Sequence, residues 1–175
     1  WIISILNMIS LYFLANWLPT LAKESGLSLN QALMIGSTLQ LGGTIGSVVM
    51  GLKIDKTGFY KVLIPVFLVA VISVALIGYS VSHIVLLFII IFIAGFAIVG
   101  GQPAINALSA SYYPVSLRTT GVGWSIGIAR LGSVIGPLFG GYLSQFLVIT
   151  HLFVIAAIPS LLVIIMLMIQ AKYRS

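Results

Sequence analysis

Residues 84–111 read IVLLFIIIFIAGFAIVGGQPAINALSAS, without one Lys, Arg, Asp or Glu. A bilayer core about 30 Å thick needs about 20 apolar residues as helix, and this run exceeds that length. Five others approach or reach it, giving approximate helices at 1–21, 29–52, 62–79, 84–111, 119–144 and 150–171. The whole chain fits the same class. It holds eight Lys or Arg and two Asp or Glu in 175 residues, 61% of its residues are hydrophobic, and mean hydropathy is +1.25. Soluble domains carry about 25% charged residues; 6% here cannot cover a water-soluble globule. Hydrophobicity this high excludes disorder. The reading is an all-α polytopic membrane protein with six transmembrane helices.

The short connections orient the spans. With six spans both termini share one face. The connections and tail on that face carry Lys53, Lys56, Lys61, Arg118, Lys172 and Arg174, against Lys23 opposite, beside Glu24. This bias predicts that both termini are cytoplasmic, in a plasma or bacterial inner membrane. It also accounts for the net charge of +6; the cations form no stripe, so nucleic acid is not an expected partner. Ser28 and Gln31 fit a capping box opening the second helix. The start, Trp1-Ile2-Ile3, lies inside an apolar run and lacks the charged region of a signal peptide. A fragment of a longer chain is the expectation.

Arg130 is the residue most in need of explanation. It follows Arg118 by twelve positions, about 18 Å along a helix, close to the bilayer midplane. A charge there costs at least about 2.5–3.5 kcal/mol and normally faces a bundle interior or a wet cavity. Its helix neighbours Gly123, Gly127, Ser133, Pro137 and Gly141 leave that face nearly bare. The two acids, Glu24 and Asp55, fall in connections at opposite faces. The counter-charge is therefore expected from an anionic substrate, from a carboxylate outside this chain, or from both in turn; a purely structural pair is the other option.

Gln102, Asn106, Ser109 and Tyr113 form a polar stripe along the fourth helix, beside Gly100, Gly101 and Pro103. Gln40, Asn7 and Ser10 add hydrogen-bonding groups. Gln40, Gln102 and Asn106 are cavity candidates, although amides inside membrane helices often bond only a neighbouring helix. Gly132, Gly136 and Gly140 repeat at four-residue spacing, with Pro137 and Gly141 among them; such a series lets helix backbones approach closely or serves as a hinge. Two acids, His83, His151 and no cysteine offer no metal site and no acid–base pair. No catalysis and no cofactor are expected.

Residues 51–61, Gly51-Leu52-Lys53-Ile54-Asp55-Lys56-Thr57-Gly58-Phe59-Tyr60-Lys61, resemble the loop signature of the major facilitator superfamily: Gly, three residues, Asp, a basic residue, any residue, Gly, any residue, two basics. Tyr60 stands where a basic residue is expected. Gly132-Ser133-Val134-Ile135-Gly136-Pro137-Leu138-Phe139-Gly140-Gly141 looks like the family's glycine-proline helix motif. The resemblance implies one half of that fold, two inverted three-helix repeats, and the motif order suits the C-terminal half over residues 1–175. It implies an N-terminal six-helix half outside this chain. It also implies a gate at the cytoplasmic face built from Gly51, Asp55, Lys56, Gly58, Lys61 and Arg118, with Asp55 pairing with or capping a helix N-terminus.

Trp17-Leu18-Pro19-Thr20-Leu21 with Gly26-Leu27-Ser28, residues 113–124 (YPVSLRTTGVGW) and Gly127-Ile128-Ala129-Arg130-Leu131-Gly132 are similar to the aromatic acid:proton symporter branch. That branch implies symport of benzoate-like anions with protons, the protons carried by acids of the absent half. A sugar or aliphatic organic-acid transporter of the same superfamily, or a stand-alone six-helix assembly or pore protein, are the competing readings.

Overall fold

The computed structural model describes residues 1–174, with side chains through Tyr173. The expected cation Arg174 lies outside the described side chains. Helices are α1 (Ile2–Glu24), α2 (Leu29–Thr57), α3 (Phe59–Ile77), α4 (Ile84–Ala110), α5 (Arg118–Leu143), α6 (Ile149–Ala156) and α7 (Ile158–Arg174). The described residues contain no strand. Six spans are long and apolar enough to cross a membrane, with α6 and α7 forming one of them.

Local chemistry explains the helix ends. Ser28 caps α2: its hydroxyl accepts from the Gln31 amide at 3.3 Å, and its own amide donates to Gln31 Oε1 at 2.9 Å. The charged stretch Lys53–Lys61, read from sequence as a connection, is mostly helix. α2 continues to Thr57 and α3 begins at Phe59, leaving only Gly58, at φ 86°, to make the turn. That left-handed conformation suits glycine, and charged side chains at a helix end reach water without interrupting the backbone. α4 and α5 run through Pro103 and Pro137. The last span breaks at Ala157 because Pro159 has no amide to donate to Ile155; Ala157 turns back to Val154 at 3.3 Å, and regular bonding resumes from Leu161 to Ala157.

Two close seams organise the bundle. α1 packs on α5 and α2 packs on α4, while α3 lies against α4 and the α6–α7 span. Exchanging α1–α3 with α4–α7 maps one seam onto the other, the internal relation expected of repeated three-helix units. Both seams run on glycine. A Cβ at Gly136 would lie 2.6 Å from the Ile9 carbonyl oxygen, Gly132 faces the Ile5 carbonyl in the same way, and Gly140 lies against the Trp17 indole ring. Across α2 and α4, Gly42 faces the Phe92 carbonyl, Gly46 that of Phe96, and Gly95 that of Leu39. Leu14, Leu18, Phe67, Leu87, Ile91 and Phe153 fill the core. Leu33, Leu41, Val48, Leu131 and Leu138 lie exposed on α2 and α5, an arrangement that only lipid or further protein can cover.

Candidate functional site

Three polar groups of α1, Ser4, Asn7 and Ser10, point into the bundle at three-residue spacing, and each meets a different helix. The Ser4 hydroxyl lies 3.2 Å from that of Ser125 on α5. Asn7 Nδ2 donates to Gln102 Oε1 on α4 at 2.7 Å and to the Ile98 carbonyl at 3.2 Å. The Ser10 hydroxyl lies 3.2 Å from that of Ser160 on α7. Asn7 is fully buried and Gln102 is 9% exposed. The chain continues from Gln102 Nε2 to Asn106 Oδ1 at 3.1 Å. Burying such groups is costly unless they are paired, and Asn7 Oδ1 has no partner. Asn7 and Ser10 stand out as polar in the apolar sequence, but their partners emerge only from the packing. Ser4, Ser125 and Ser160 carried no sequence signal beyond polarity in an apolar run.

The stripe expected along the fourth helix therefore divides, and Tyr113 lies past the end of α4 at Ala110. Gln102 is committed to the α1 seam rather than to an open cavity wall, and Asn106 is partly buried below it. Ser109 and Tyr113 reach a cavity of about 270 Å³ at the basic end of the bundle, together with Trp1, Ser4, Tyr112 and Gln170. There Trp1 Nε1 donates to the Tyr113 hydroxyl at 3.1 Å, and Gln170 Oε1 has no partner. Aromatic walls with hydroxyl and amide groups suit a small molecule with both an apolar and a polar part.

Arg130 is exposed on α5, mid-span, in a helix whose Gly123 and Gly127 have open space beside them. Its carbonyl accepts from the Ser133 hydroxyl at 2.6 Å. No carboxylate among the described residues pairs with its guanidinium: Glu24 ends α1 and Asp55 lies in the last turns of α2. Gln40 is exposed on α2, where its carbonyl accepts from Thr44. α2 and α5 make no contact. The structure thus brings Gln102 and Asn106 together, and leaves Arg130 and Gln40 exposed on two helices that do not touch. Gly141 has open space, and Pro137 is partly buried in α5 between the packed Gly136 and Gly140.

At the basic face, Gly51, Asp55, Lys56, Gly58, Lys61 and Arg118 are all exposed. The expectation that Asp55 caps a helix is not met inside this chain. Asp55 belongs to the C-terminal end of α2, and α3 starts at Phe59 after the N-cap Gly58, without a side-chain cap. A carboxylate at a helix C-terminus is unfavourably placed against the dipole. Tyr60, standing where the signature has a basic residue, shares a 2.5 Å hydroxyl–hydroxyl bond with Tyr112 and so ties the start of α3 to the end of α4.

The sequence profile of the Major Facilitator Superfamily matches residues 1–174. Among curated proteins the chain is 36% identical over 143 residues to the 4-hydroxybenzoate transporter PcaK of Pseudomonas aeruginosa, covering 82% of this chain and 32% of that one. It is 35% identical over 167 residues to the benzoate transport protein of Acinetobacter baylyi, covering 94% and 35%. It is 33% identical over 161 residues to the gallate transporter of Pseudomonas putida, covering 91% and 36%. The chain spans about a third of the length of these relatives.

Proposed function

The chain belongs to the major facilitator superfamily, and from that premise we propose that it is the C-terminal six-helix half of a secondary transporter carrying small aromatic carboxylates with protons by alternating access. The observation that carries this reading is Arg130: a guanidinium at mid-span, exposed, with no carboxylate partner among the described residues. A fixed cation at membrane depth is tolerated where an anion meets it. Here that anion is the substrate carboxylate, or a carboxylate of the other half that substrate or proton displaces. The printed names of the relatives, for 4-hydroxybenzoate, benzoate and gallate, supply the substrate class.

The remaining roles follow from placement. Gln40, on the open face of α2, and Asn106, with Gln102 behind it, border the path between the halves. Asp55 with Lys56, Lys61 and Arg118 forms the cytoplasmic gate, Gly51 and Gly58 shaping its turns; Asp55 finds in the other half the helix N-terminus it lacks here. Gly132, Gly136, Pro137, Gly140 and Gly141 let α5 rock on α1. The two acids of this chain, Glu24 and Asp55, lie at helix ends, so protons cross on acids of the N-terminal half. Both termini of the segment face the cytoplasm, because the cations gather there.

Counterflow with the reconstituted full-length transporter tests the reading. Benzoate, 4-hydroxybenzoate and gallate should each drive exchange of labelled 4-hydroxybenzoate in a proton-dependent way. Glucose and succinate should not. Exchange driven by the sugar or the aliphatic acid instead would replace the proposed substrate class.

A further inference from the structure

We propose that the groove between α2, α3 and α4 at the basic face holds one anionic phospholipid. Lys53, Lys56 and Thr57 on the last turns of α2, and Lys61 on the first turn of α3, stand around the mouth of a groove of about 500 Å³. Its walls are Val62, Val66 and Val69 of α3 and Phe96 and Ala97 of α4. From Lys61 to Val69 is eight positions, about 12 Å of helix running into the membrane.

The two ends of the groove ask for different chemistry. Three lysines line the mouth, and no carboxylate does; Asp55, the one acid of that helix end, is not among the lining residues. The inner part is aliphatic and aromatic. A soluble anion answers the lysines and leaves the apolar slot unmatched. A zwitterionic lipid fills the slot and leaves the positive charge uncompensated. An amphiphile with a net negative head answers both, with its phosphate at Lys53, Lys56 and Lys61 and an acyl chain along the valines. Basic pockets between membrane helices bind anionic head groups in this manner, and lysine stems can lie on apolar surface while the ammonium stays at the interface.

The test uses the purified full-length transporter and native mass spectrometry. Phosphatidylglycerol, phosphatidylethanolamine and glycerol 3-phosphate are added in turn. One phosphatidylglycerol should be retained at least tenfold more strongly than phosphatidylethanolamine, and equimolar glycerol 3-phosphate should not displace it. The variant K53Q/K56Q/K61Q should lose the preference, and Lys23→Gln on the opposite face should keep it. Val69 is 43% exposed, so Val69→Trp can enter the groove without disturbing the core; it should lose the lipid with every charge intact. Equal retention of the two lipids, retention of neither, or displacement by glycerol 3-phosphate would overturn the proposal. So would full retention by Val69→Trp with an unchanged size-exclusion profile, which would reduce the site to surface attraction.

Discussion

Asn7 Nδ2 lies 2.7 Å from Gln102 Oε1, and both side chains are sealed in the seam between α1 and α4. Helix–helix hydrogen bonds inside membranes average about 0.6 kcal/mol and reach about 1.7. Leaving one buried partner unsatisfied costs more, about 1–3 kcal/mol. Asn7→Leu and Gln102→Leu should each destabilise the full-length protein within that range. The double variant should cost less than the sum of the two, because no orphaned amide remains in the pair. A double-mutant cycle on thermal unfolding in detergent measures this; strictly additive costs would show that the two residues are not coupled.

The seam between α5 and α1 discriminates among its glycines. A Cβ at Gly136 meets the Ile9 carbonyl oxygen at 2.6 Å, whereas Gly127 has nothing within 4 Å. Gly136→Leu should therefore prise the helices apart, at a cost of about 1–3 kcal/mol or more. Gly127→Ala should be neutral or slightly stabilising within this bundle, since alanine gains up to about 1 kcal/mol of helix propensity. Melting temperatures of the two variants, compared with wild type, check the ordering. Equal losses at the two positions would mean that glycine matters here for helix flexibility rather than for approach.

These contrasts also separate what can be read from sequence from what cannot. Apolar runs such as 84–111 are legible because lipid imposes one length on every span. The Ser28–Gln31 cap is legible because its whole chemistry lies within four residues. α2 runs beyond residue 52 because Lys53, Asp55 and Lys56, loop-like by composition, sit at a helix end where their side chains reach water while the backbone stays helical to Thr57. The break at Ala157 follows from Pro159, a local signal that the uninterrupted apolar run at 150–171 masks. Ser4 with Ser125, and Ser10 with Ser160, join residues more than a hundred positions apart; only packing reveals which hydroxyl meets which. For Arg130 neither level supplies a partner.

Tyr60 offers a test at the basic face. Its hydroxyl bond to Tyr112 joins the start of α3 to the end of α4. Tyr60→Phe keeps the ring and removes the bond, so it should cost about 0.5–1.5 kcal/mol. Amide exchange should rise in the Ser111–Leu117 connection that follows α4. Unchanged exchange there would show that the ring, not the hydroxyl, holds the two helix ends together.

The role proposed for Arg130 has two forms, contact with substrate and contact with the other half, and variants at this position separate them. Charge-assisted hydrogen bonds are worth about 1.5–3 kcal/mol, roughly a 10- to 150-fold change in affinity. If the guanidinium meets the substrate carboxylate, Arg130→Ala in the full-length transporter should weaken 4-hydroxybenzoate binding by that factor and abolish uptake, with the melting temperature little changed. Arg130→Lys should recover part of the binding, because a point charge remains while the planar two-donor geometry is lost. If Arg130 instead pairs with a carboxylate of the N-terminal half, Arg130→Ala should strand that acid, lower the melting temperature and alter the proton dependence of uptake. Binding assays and melting curves on the same preparations separate the two. Unchanged binding, uptake and stability, with normal membrane insertion, would remove Arg130 from both roles and leave its cost at mid-span without a functional return.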